Sequence, residues 1–138
     1  QTTGINQSVI HMYKETIICI FIIILIIGLD IITQNYTKKS TIEITDCLSE
    51  LKDEIENENL ENAKLKIEEL DNKWDNRHDK LAYYIEHDEL EKVDTAIVQV
   101  KSFVENDDIP SAMAELETGK FVLEHIERKY KFNLQNIF

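Results

Sequence analysis

Apolar residues recur at steps of three and four between Leu60 and Ile85, with one step of seven across Arg77 and His78. This spacing places them along one side of a helix and predicts one long amphipathic helix. The only tryptophan of the chain, Trp74, lies in the middle of this stripe. We therefore expect the other amphipathic segments to pack over it.

Similar stripes predict a helix before this one and two after it. Helix A is expected from Ile44 to Asn57. Helix B should start at Leu60, with Asn59 as its N-cap, and end near Glu86.

Helices C and D carry clear start signals. Asp88 is expected to cap helix C, with Glu91 three residues on as a variant of the capping box. Asp107 and Asp108 start helix D, and Pro110 falls in its first turn, where a missing N–H does no harm. Because the turns are short, neighbouring helices should be antiparallel. The predicted core residues are Leu70, Trp74, Leu81, Leu90, Val93, Ile97, Val100, Leu116, Leu123 and Ile126.

An internal repeat relates helices A and B to helices C and D. Residues 56–63 (ENENLENA) align with residues 105–112 (ENDDIPSA), and Trp74 then aligns with Leu123. The sequence therefore predicts an all-α domain over residues 44–138. It should be an antiparallel four-helix bundle made of two similar hairpins, 44–86 and 88–134. The alternative is that any two amphipathic hairpins look alike.

An unbroken apolar run, residues 17–29, precedes this domain. With its flanks, Thr16 to Thr33, it spans 18 residues, just enough for a membrane-spanning helix. A cleaved signal peptide and a buried core helix are the alternatives. The first lacks support because no small-residue cleavage site follows, and the second because the run has no polar face.

We therefore predict three segments before the bundle. Residues 12–33 form a membrane anchor, and residues 34–43 form a polar connector. Residues 1–11 are expected to be a cloning-derived or disordered leader, since His11-Met12 resembles a cloning junction. The connector includes Asn35-Tyr36-Thr37, a glycosylation sequon that matters only in a eukaryotic secretory route.

Asp30 lies about one turn from the end of the apolar run. A carboxylate there is costly unless it reaches the headgroups or a partner. Its side chain is therefore expected either to extend to the membrane interface or to contact another membrane subunit.

Charge and motif content narrow the possible functions. The formal net charge of −12 argues against nucleic-acid binding and against lying flat on anionic lipid. Cys19 lies in the apolar run and Cys47 in helix A, so no disulfide is expected. The sequence has no Gly-rich phosphate loop, no zinc pattern and no nucleophile motif. We therefore expect no catalytic activity and no cofactor.

Two histidines and a carboxylate are expected to meet at one end of the bundle. Counting equally in both directions from Asp107 puts Glu89 opposite His125, with His87 and Asp88 close by. Such a set can bind a metal ion or titrate near neutral pH, although the spacing matches no established ligand pattern. The alternative is a hydrogen-bonded network that ties the turn before helix C to helix D. The predicted interaction residues are Asp30, His87, Asp88, Glu89 and His125.

Residues 85–91 (IEHDELE) resemble a stretch of a bacterial family named domain of unknown function 4363. The N-terminal anchor also fits, so the resemblance covers residues 12–138. The chain departs from the family pattern at Asp88 and Leu90, which replace other residue types, and at Arg128, where the family usually has proline. Further matching features are Trp74, Ala114-Glu115-Leu116, Glu124-His125-Ile126 and the ending Leu134-Gln135-Asn136-Ile137-Phe138.

The resemblance implies a membrane-anchored accessory protein. The family occurs mainly in spore-forming bacteria, has no established activity, and is often encoded beside a membrane protein family, domain of unknown function 421. Our leading hypothesis is therefore an interaction protein whose bundle docks on a membrane partner, with that second family as a candidate. The alternative is a metal- or pH-responsive binding module that uses His87, Glu89 and His125.

The orientation of the anchor rests mainly on the same resemblance. Lys14 precedes the apolar run, while Lys38 and Lys39 follow it, and this count alone would place the bundle inside the cell. A short head followed by one apolar run and a helical domain is instead the usual form of an anchor whose domain lies outside. We predict a single-pass protein of the cell membrane with an extracytoplasmic bundle.

Overall fold

A computed structural model describes residues 2–131 of the chain. Within this range the structure has four α-helices and no strand. The all-α prediction and the four-helix bundle are therefore confirmed. The predicted end of the second hairpin, residues 132–134, lies outside the described residues. The helices are α1 (Thr2–Glu56), α2 (Leu60–Leu81), α3 (His87–Glu105) and α4 (Ile109–Lys131).

The chain divides into two compact units between Gln34 and Asn35. The first unit holds the one helical segment of residues 2–131 that is long and apolar enough to cross a membrane. Its large side chains are exposed, Ile17 at 65 % and Phe21 at 61 %. An N-terminal signal sequence has the same length and composition. Residues 2–11 are helical and belong to α1, whereas a disordered leader was one of the two expectations for residues 1–11.

The second unit starts with residues 35–43, which belong to the segment 34–43 that we had expected to be a polar connector. They are helical instead, and Thr37, Ser40 and Thr41 are at most 2 % exposed. Their spacing continues the three-and-four rhythm that leads to Ile44 and Leu48 in the core. Small hydroxyl side chains extend the buried face of α1 here, which a search for apolar residues alone does not reveal.

The second unit packs as an antiparallel ring in which each helix contacts the next one along the chain and α4 returns to α1. All ten predicted core residues are buried, at most 3 % exposed. The contacts at the four junctions are Lys66–Glu50 for α1 and α2, Trp74–Asp94 for α2 and α3, His125–Glu89 for α3 and α4, and Lys52–Glu117 for α4 and α1.

The two turns at the distal end of the bundle have the same backbone geometry. Glu58 and Asp107 adopt φ values of 57° and 56°, and each ends its helix with the pair of hydrogen bonds of a Schellman motif. The side chains of the next residues, Asn59 and Asp108, each accept a hydrogen bond from the backbone N–H of the third residue of the following helix. The repeated sequence therefore folds as a repeated hairpin, and the prediction of two similar hairpins is confirmed.

The connection between the hairpins differs from the prediction. Helix α2 ends at Leu81 and not near Glu86, and α3 begins at His87, so Asp88 lies in its first turn and is not the cap. Glu86 is the N-cap residue, with no side-chain cap bond. Ile85 is still buried. Its N–H donates to the carbonyl of Leu81 at 2.9 Å across the turn, so the chain keeps one helix-like turn there and the side chain stays on the core side. Apolar periodicity alone therefore predicted a helix that is too long at its C-terminal end.

Replacing Trp74 by alanine should destabilise the bundle strongly. The indole is 2 % exposed, so the change leaves a cavity and costs about 3–5 kcal/mol in the free energy of unfolding. Chemical denaturation followed by circular dichroism measures the change. Leu65→Ala, at a residue 64 % exposed, is the control. Equal effects of the two substitutions would refute the central place of Trp74.

A fragment that starts at residue 35 should be more stable than one that starts at residue 44. The shorter fragment loses Thr37, Ser40 and Thr41, which are at most 2 % exposed, and with Thr37 the contact of its hydroxyl with the Tyr84 hydroxyl at 2.7 Å. The loss of one such hydrogen bond costs about 0.5–1.5 kcal/mol, before any lost packing is counted. Denaturation midpoints of the two fragments, both ending at residue 138, measure the difference. Coinciding midpoints would show that residues 35–43 are a mere connector.

Candidate functional site

Three segments meet at the end of the bundle that is nearest in sequence to the apolar run. They are residues 35–41 of α1, the turn and first residues of α3 over 82–89, and residues 125–131 of α4, and we call this the proximal end. The Thr37 and Tyr84 hydroxyls join the first two segments. The Tyr130 hydroxyl accepts a hydrogen bond from the Glu86 N–H at 3.0 Å and joins the third.

Glu89, in the first turn of α3, is the one charged residue among the buried side chains of the described chain, at 6 % exposed. Its Oε1 faces two ammonium groups, at 3.5 Å from Lys129 Nζ and 3.7 Å from Lys92 Nζ, and the His125 ring, at 3.9 Å from Nε2. Its Oε2 is buried with no hydrogen-bond partner among the described residues. The carboxylate is therefore compensated by charge on one side only, which is an expensive arrangement for a buried ion.

Lys129 holds the two acidic residues of this corner together. Its ammonium lies 3.3 Å from Glu86 and 3.5 Å from Glu89. Burial lowers the pKa of Lys129, but the contacts with the two carboxylates raise it by more, so the net shift is upward. The amine therefore stays protonated and remains available as a counter-charge.

The structure brings together two of the three residues predicted to form a His–Glu cluster. Glu89 and His125 are adjacent, whereas His87 is exposed and makes no recorded contact with either. Asp88 is also exposed, on the first turn of α3. Among residues 2–131, no three His, Cys, Asp or Glu side chains are grouped to hold a metal ion. The predicted three-residue metal set is therefore corrected, because the first residue of α3 points away from α4 while the third points toward it.

A seam of hydroxyl groups and tyrosine rings, which the sequence did not predict, lies beside Glu89. The rings of Tyr84 and Tyr130 meet edge to face, 6.3 Å apart, and Thr41 reaches Glu127 at 3.5 Å. Burial raises the pKa of the Tyr84 phenol, although the bond to Thr37 acts in the opposite direction. Tyr84 therefore stays neutral. The sequence signal that could have revealed this seam is the spacing of its small polar residues, which is in phase with the apolar stripe of the core.

Arg77 and Tyr36 form a second polar group at the same end. The Arg77 guanidinium donates to Glu43, with Nε at 2.8 Å from Oε2, and lies 5.2 Å from the centre of the Tyr36 ring. The Lys80 ammonium lies over the same ring at 5.8 Å. Arg77 is thus a rim residue, 21 % exposed, whose charge is neutralised by Glu43 of α1, so it ties α2 to α1.

His78, the other polar residue in the seven-residue step of the α2 stripe, forms a group with Trp74 and Asp94. The indole N–H donates to Asp94 Oδ1, and His78 Nε2 lies 3.5 Å from Oδ2 of the same carboxylate. The rings of Trp74 and His78 meet edge to face at 5.8 Å. Asp94 therefore satisfies the only polar atom of the indole and locks α2 to α3.

Both cysteines are free thiols, Cys19 exposed on the apolar segment and Cys47 buried in the bundle. The Lys73 ammonium donates to the Cys47 sulfur at 3.4 Å. Burial raises the pKa of the Cys47 thiol, and the nearby ammonium offsets this only in part. Because the thiolate is the reactive form, Cys47 is not equipped to act as a nucleophile.

Asp30, in the first unit, has a hydrogen-bond partner one helical turn away. The Gln34 amide donates to its carboxylate at 2.6 Å. This bond lowers the cost of a carboxylate next to an apolar segment without removing its charge.

Comparison with known proteins gives one match. The model of the family described as domain of unknown function 4363 matches residues 31–137. No curated protein and no solved structure matches the chain. The matched range contains the whole described part of the bundle and begins one residue after Asp30.

Glu89 and His125 should be coupled in stability. Groups that share one network show interaction energies of about 0.5–3 kcal/mol in a double-mutant cycle. The cycle uses Glu89→Ala, His125→Ala and the double variant, with the free energy of unfolding as the measurement. Lys52 and Glu117, an exposed pair at 3.2 Å, provide the control cycle, with an expected coupling of at most about 1 kcal/mol. A Glu89–His125 cycle that closes to zero would reject the network.

Proposed function

The chain belongs to the family named domain of unknown function 4363, and we propose that it is a membrane-anchored accessory protein that docks on a membrane partner through the proximal end of its bundle. The observation that carries the proposal is the buried Oε2 of Glu89, which has no partner among the described residues. Folded proteins seldom retain such an atom, and a retained one needs an explanation beyond stability.

The surface around this carboxylate favours a binding role. His87 and Asp88, the two residues that precede Glu89 in the chain, are exposed, and His125 is about half exposed at 49 %. A partner that covers this corner would exclude water from the cationic side chains around Glu89 and so strengthen their attraction to it. Buried charge pairs of this kind contribute to specificity at interfaces.

The apolar segment of α1 supports the membrane part of the proposal. It ends within a few residues of Asn35, the first residue of the bundle, so α1 leads directly from one into the other. We assign it as an uncleaved anchor with the bundle outside the cytoplasm. A short head, one apolar run and a following domain have this form in type II anchors, and the run lacks a small-residue cleavage site.

Asp30 is proposed as a second contact to the partner. Its carboxylate already has a hydrogen bond from Gln34, yet a charge at this depth gains most from a polar group on a neighbouring subunit. The partner class suggested by the family resemblance is a membrane protein of the family domain of unknown function 421.

The proposed role is binding and not catalysis. The one thiol of the bundle, Cys47, is buried and has a raised pKa. The His78–Asp94 pair is occupied by the structural contact to the Trp74 indole. These groups stabilise the packing of helices and present no reactive atom to a substrate.

Two substitutions test the docking proposal. Asp30→Leu should leave membrane insertion intact, because it lengthens the apolar run, and His125→Ala should leave the fold intact because the residue is half exposed. Both should lower the amount of membrane partner that copurifies from detergent extracts of the native membrane. Leu65→Ala, an exposed residue of α2, is the control. Unchanged recovery with both substitutions combined would reject the docking surface.

A further inference from the structure

The α3–α4 face of the bundle carries an apolar groove. Its floor includes Ala96 on α3 and Val122 on α4, and Phe121 stands at its edge with 63 % of the side chain exposed. Gly119 lies below the floor, where an added Cβ would meet Leu48 Cδ1 of α1 at 3.4 Å and the Ala96 Cβ at 3.6 Å, so this space is filled from the core. Above it, the short side chains of Ala96 and Val122 leave the junction of the two helices open to an apolar side chain from outside.

The duplicated hairpin shows what this face looks like when it is closed. In the α1–α2 hairpin, Cys47 occupies the position of Ala96 and Lys73 that of Val122. There the Lys73 side chain lies across the junction, with its ammonium 3.4 Å from the Cys47 sulfur and 2.8 Å from Glu69. A long charged side chain thus covers the α1–α2 junction at Cys47, beside a cavity of about 230 Å³ that Lys73 also lines, whereas the equivalent α3–α4 junction opens into a cavity of about 680 Å³.

A second pair of equivalent positions marks one end of the groove. Lys66 and Glu50 bridge α1 and α2 at 2.7 Å, and their counterparts Glu115 and Gln99 bridge α4 and α3 when the Gln99 amide is assigned with its nitrogen donating to the carboxylate at 2.9 Å. This bridge bounds the groove on the side of the distal turns. The groove therefore opens toward the proximal end.

The rim of the groove is acidic. Asp88, Glu91 and Glu115 line it, against one lysine, Lys92. The ammonium of Lys92 lies 3.7 Å from the buried Glu89 and is committed to that carboxylate. An apolar floor with a negatively charged rim is complementary to an apolar stripe flanked by positive charges.

We propose that the α3–α4 groove binds a basic amphipathic helix, whose apolar stripe packs on Ala96, Val122 and Phe121 and whose Lys or Arg side chains pair with Asp88, Glu91 and Glu115. A second copy of this chain does not fit, because it would set an acidic rim against an acidic rim on a chain of net charge −12. An anionic lipid surface is excluded by the same rim. The inference rests on the proposed function only in that the membrane partner supplies this helix.

The first experiment measures the groove by itself. The full chain is placed in nanodiscs of zwitterionic phosphatidylcholine, and a fluorescent leucine–lysine amphipathic peptide of about 18 residues is titrated by anisotropy. A peptide of the same pattern with glutamate for lysine is the probe for charge. The basic peptide should bind at least about ten-fold more tightly than the acidic one.

Matched substitutions locate the binding. Phe121→Asp and Glu91→Lys should each weaken binding of the basic peptide by about ten-fold or more, while Leu65→Asp leaves it unchanged. Leu65 is the control because its side chain is as exposed as that of Phe121, 64 % against 63 %, but lies on α2. Equal losses for Leu65→Asp and Phe121→Asp, or no loss for Phe121→Asp in a variant of unaltered circular dichroism, would overturn the groove. The groove proposal would also be overturned if the unsubstituted chain self-associates and Phe121→Asp abolishes that self-association.

A second experiment separates failure of the groove from failure of the docking proposal. The Phe121→Asp chain is used for copurification from the native membrane. Loss of the partner supports the groove as the place where the partner's helix binds. Recovery equal to that of the unsubstituted chain, while His125→Ala reduces recovery, overturns the groove and leaves the docking proposal standing. Peptide binding that depends on Phe121, with no partner recovered by any form of the chain, supports the groove and rejects docking.

Discussion

The need to bury the indole of Trp74 constrains the packing of the whole bundle. The ring is 2 % exposed, and its one polar atom would be left unsatisfied unless α3 supplied an acceptor. Asp94 supplies it and also holds His78, so the same carboxylate fixes the register of α2 against α3. Once this register is set, the α3–α4 hairpin follows through its short turn, and α4 comes to lie against α1.

Duplication explains why the two halves agree where they do. The distal turns share positive φ values at Glu58 and Asp107 and the same hydrogen bonds, because each combines a helix stop with the cap of the next helix in three residues. The faces of the hairpins have no such constraint, since the backbone tolerates any side chain there. They have diverged accordingly, Lys73 covering one junction and Val122 leaving the other open.

The sequence predicted the helices and the core well because both depend on periodicity. Every predicted core residue is buried, and Asn59 caps α2 as expected. The errors lie where the periodicity of apolar residues alone misleads. The predicted connector, residues 34–43, is helical because its buried face uses hydroxyl groups, and α2 is shorter than predicted because the turn after it keeps Ile85 in phase with the stripe.

The candidate site shows the same limit. Equal counting about Asp107 placed Glu89 beside His125, since an antiparallel hairpin preserves that pairing. It could not show that His87 lies outside the cluster, because the start of α3 depends on where the preceding turn ends. Nor could it reveal Lys129, whose role follows from the side-chain length needed to reach both Glu86 and Glu89.

The duplication also bears on the meaning of Glu89. Its counterpart in the first hairpin is Ser40, 1 % exposed, and these two residues hold the buried side-chain oxygens that have no hydrogen-bond partner among the described residues. The position is therefore polar and buried in both hairpins, at the same end of the bundle. A buried serine hydroxyl there costs less than a buried carboxylate, which requires the ammonium groups of Lys92 and Lys129 beside it. Stability alone would favour the smaller, neutral side chain at both positions. The charged one, with its half-exposed histidine, stands next to the open face of the α3–α4 hairpin, which is where a contact with another protein would use it.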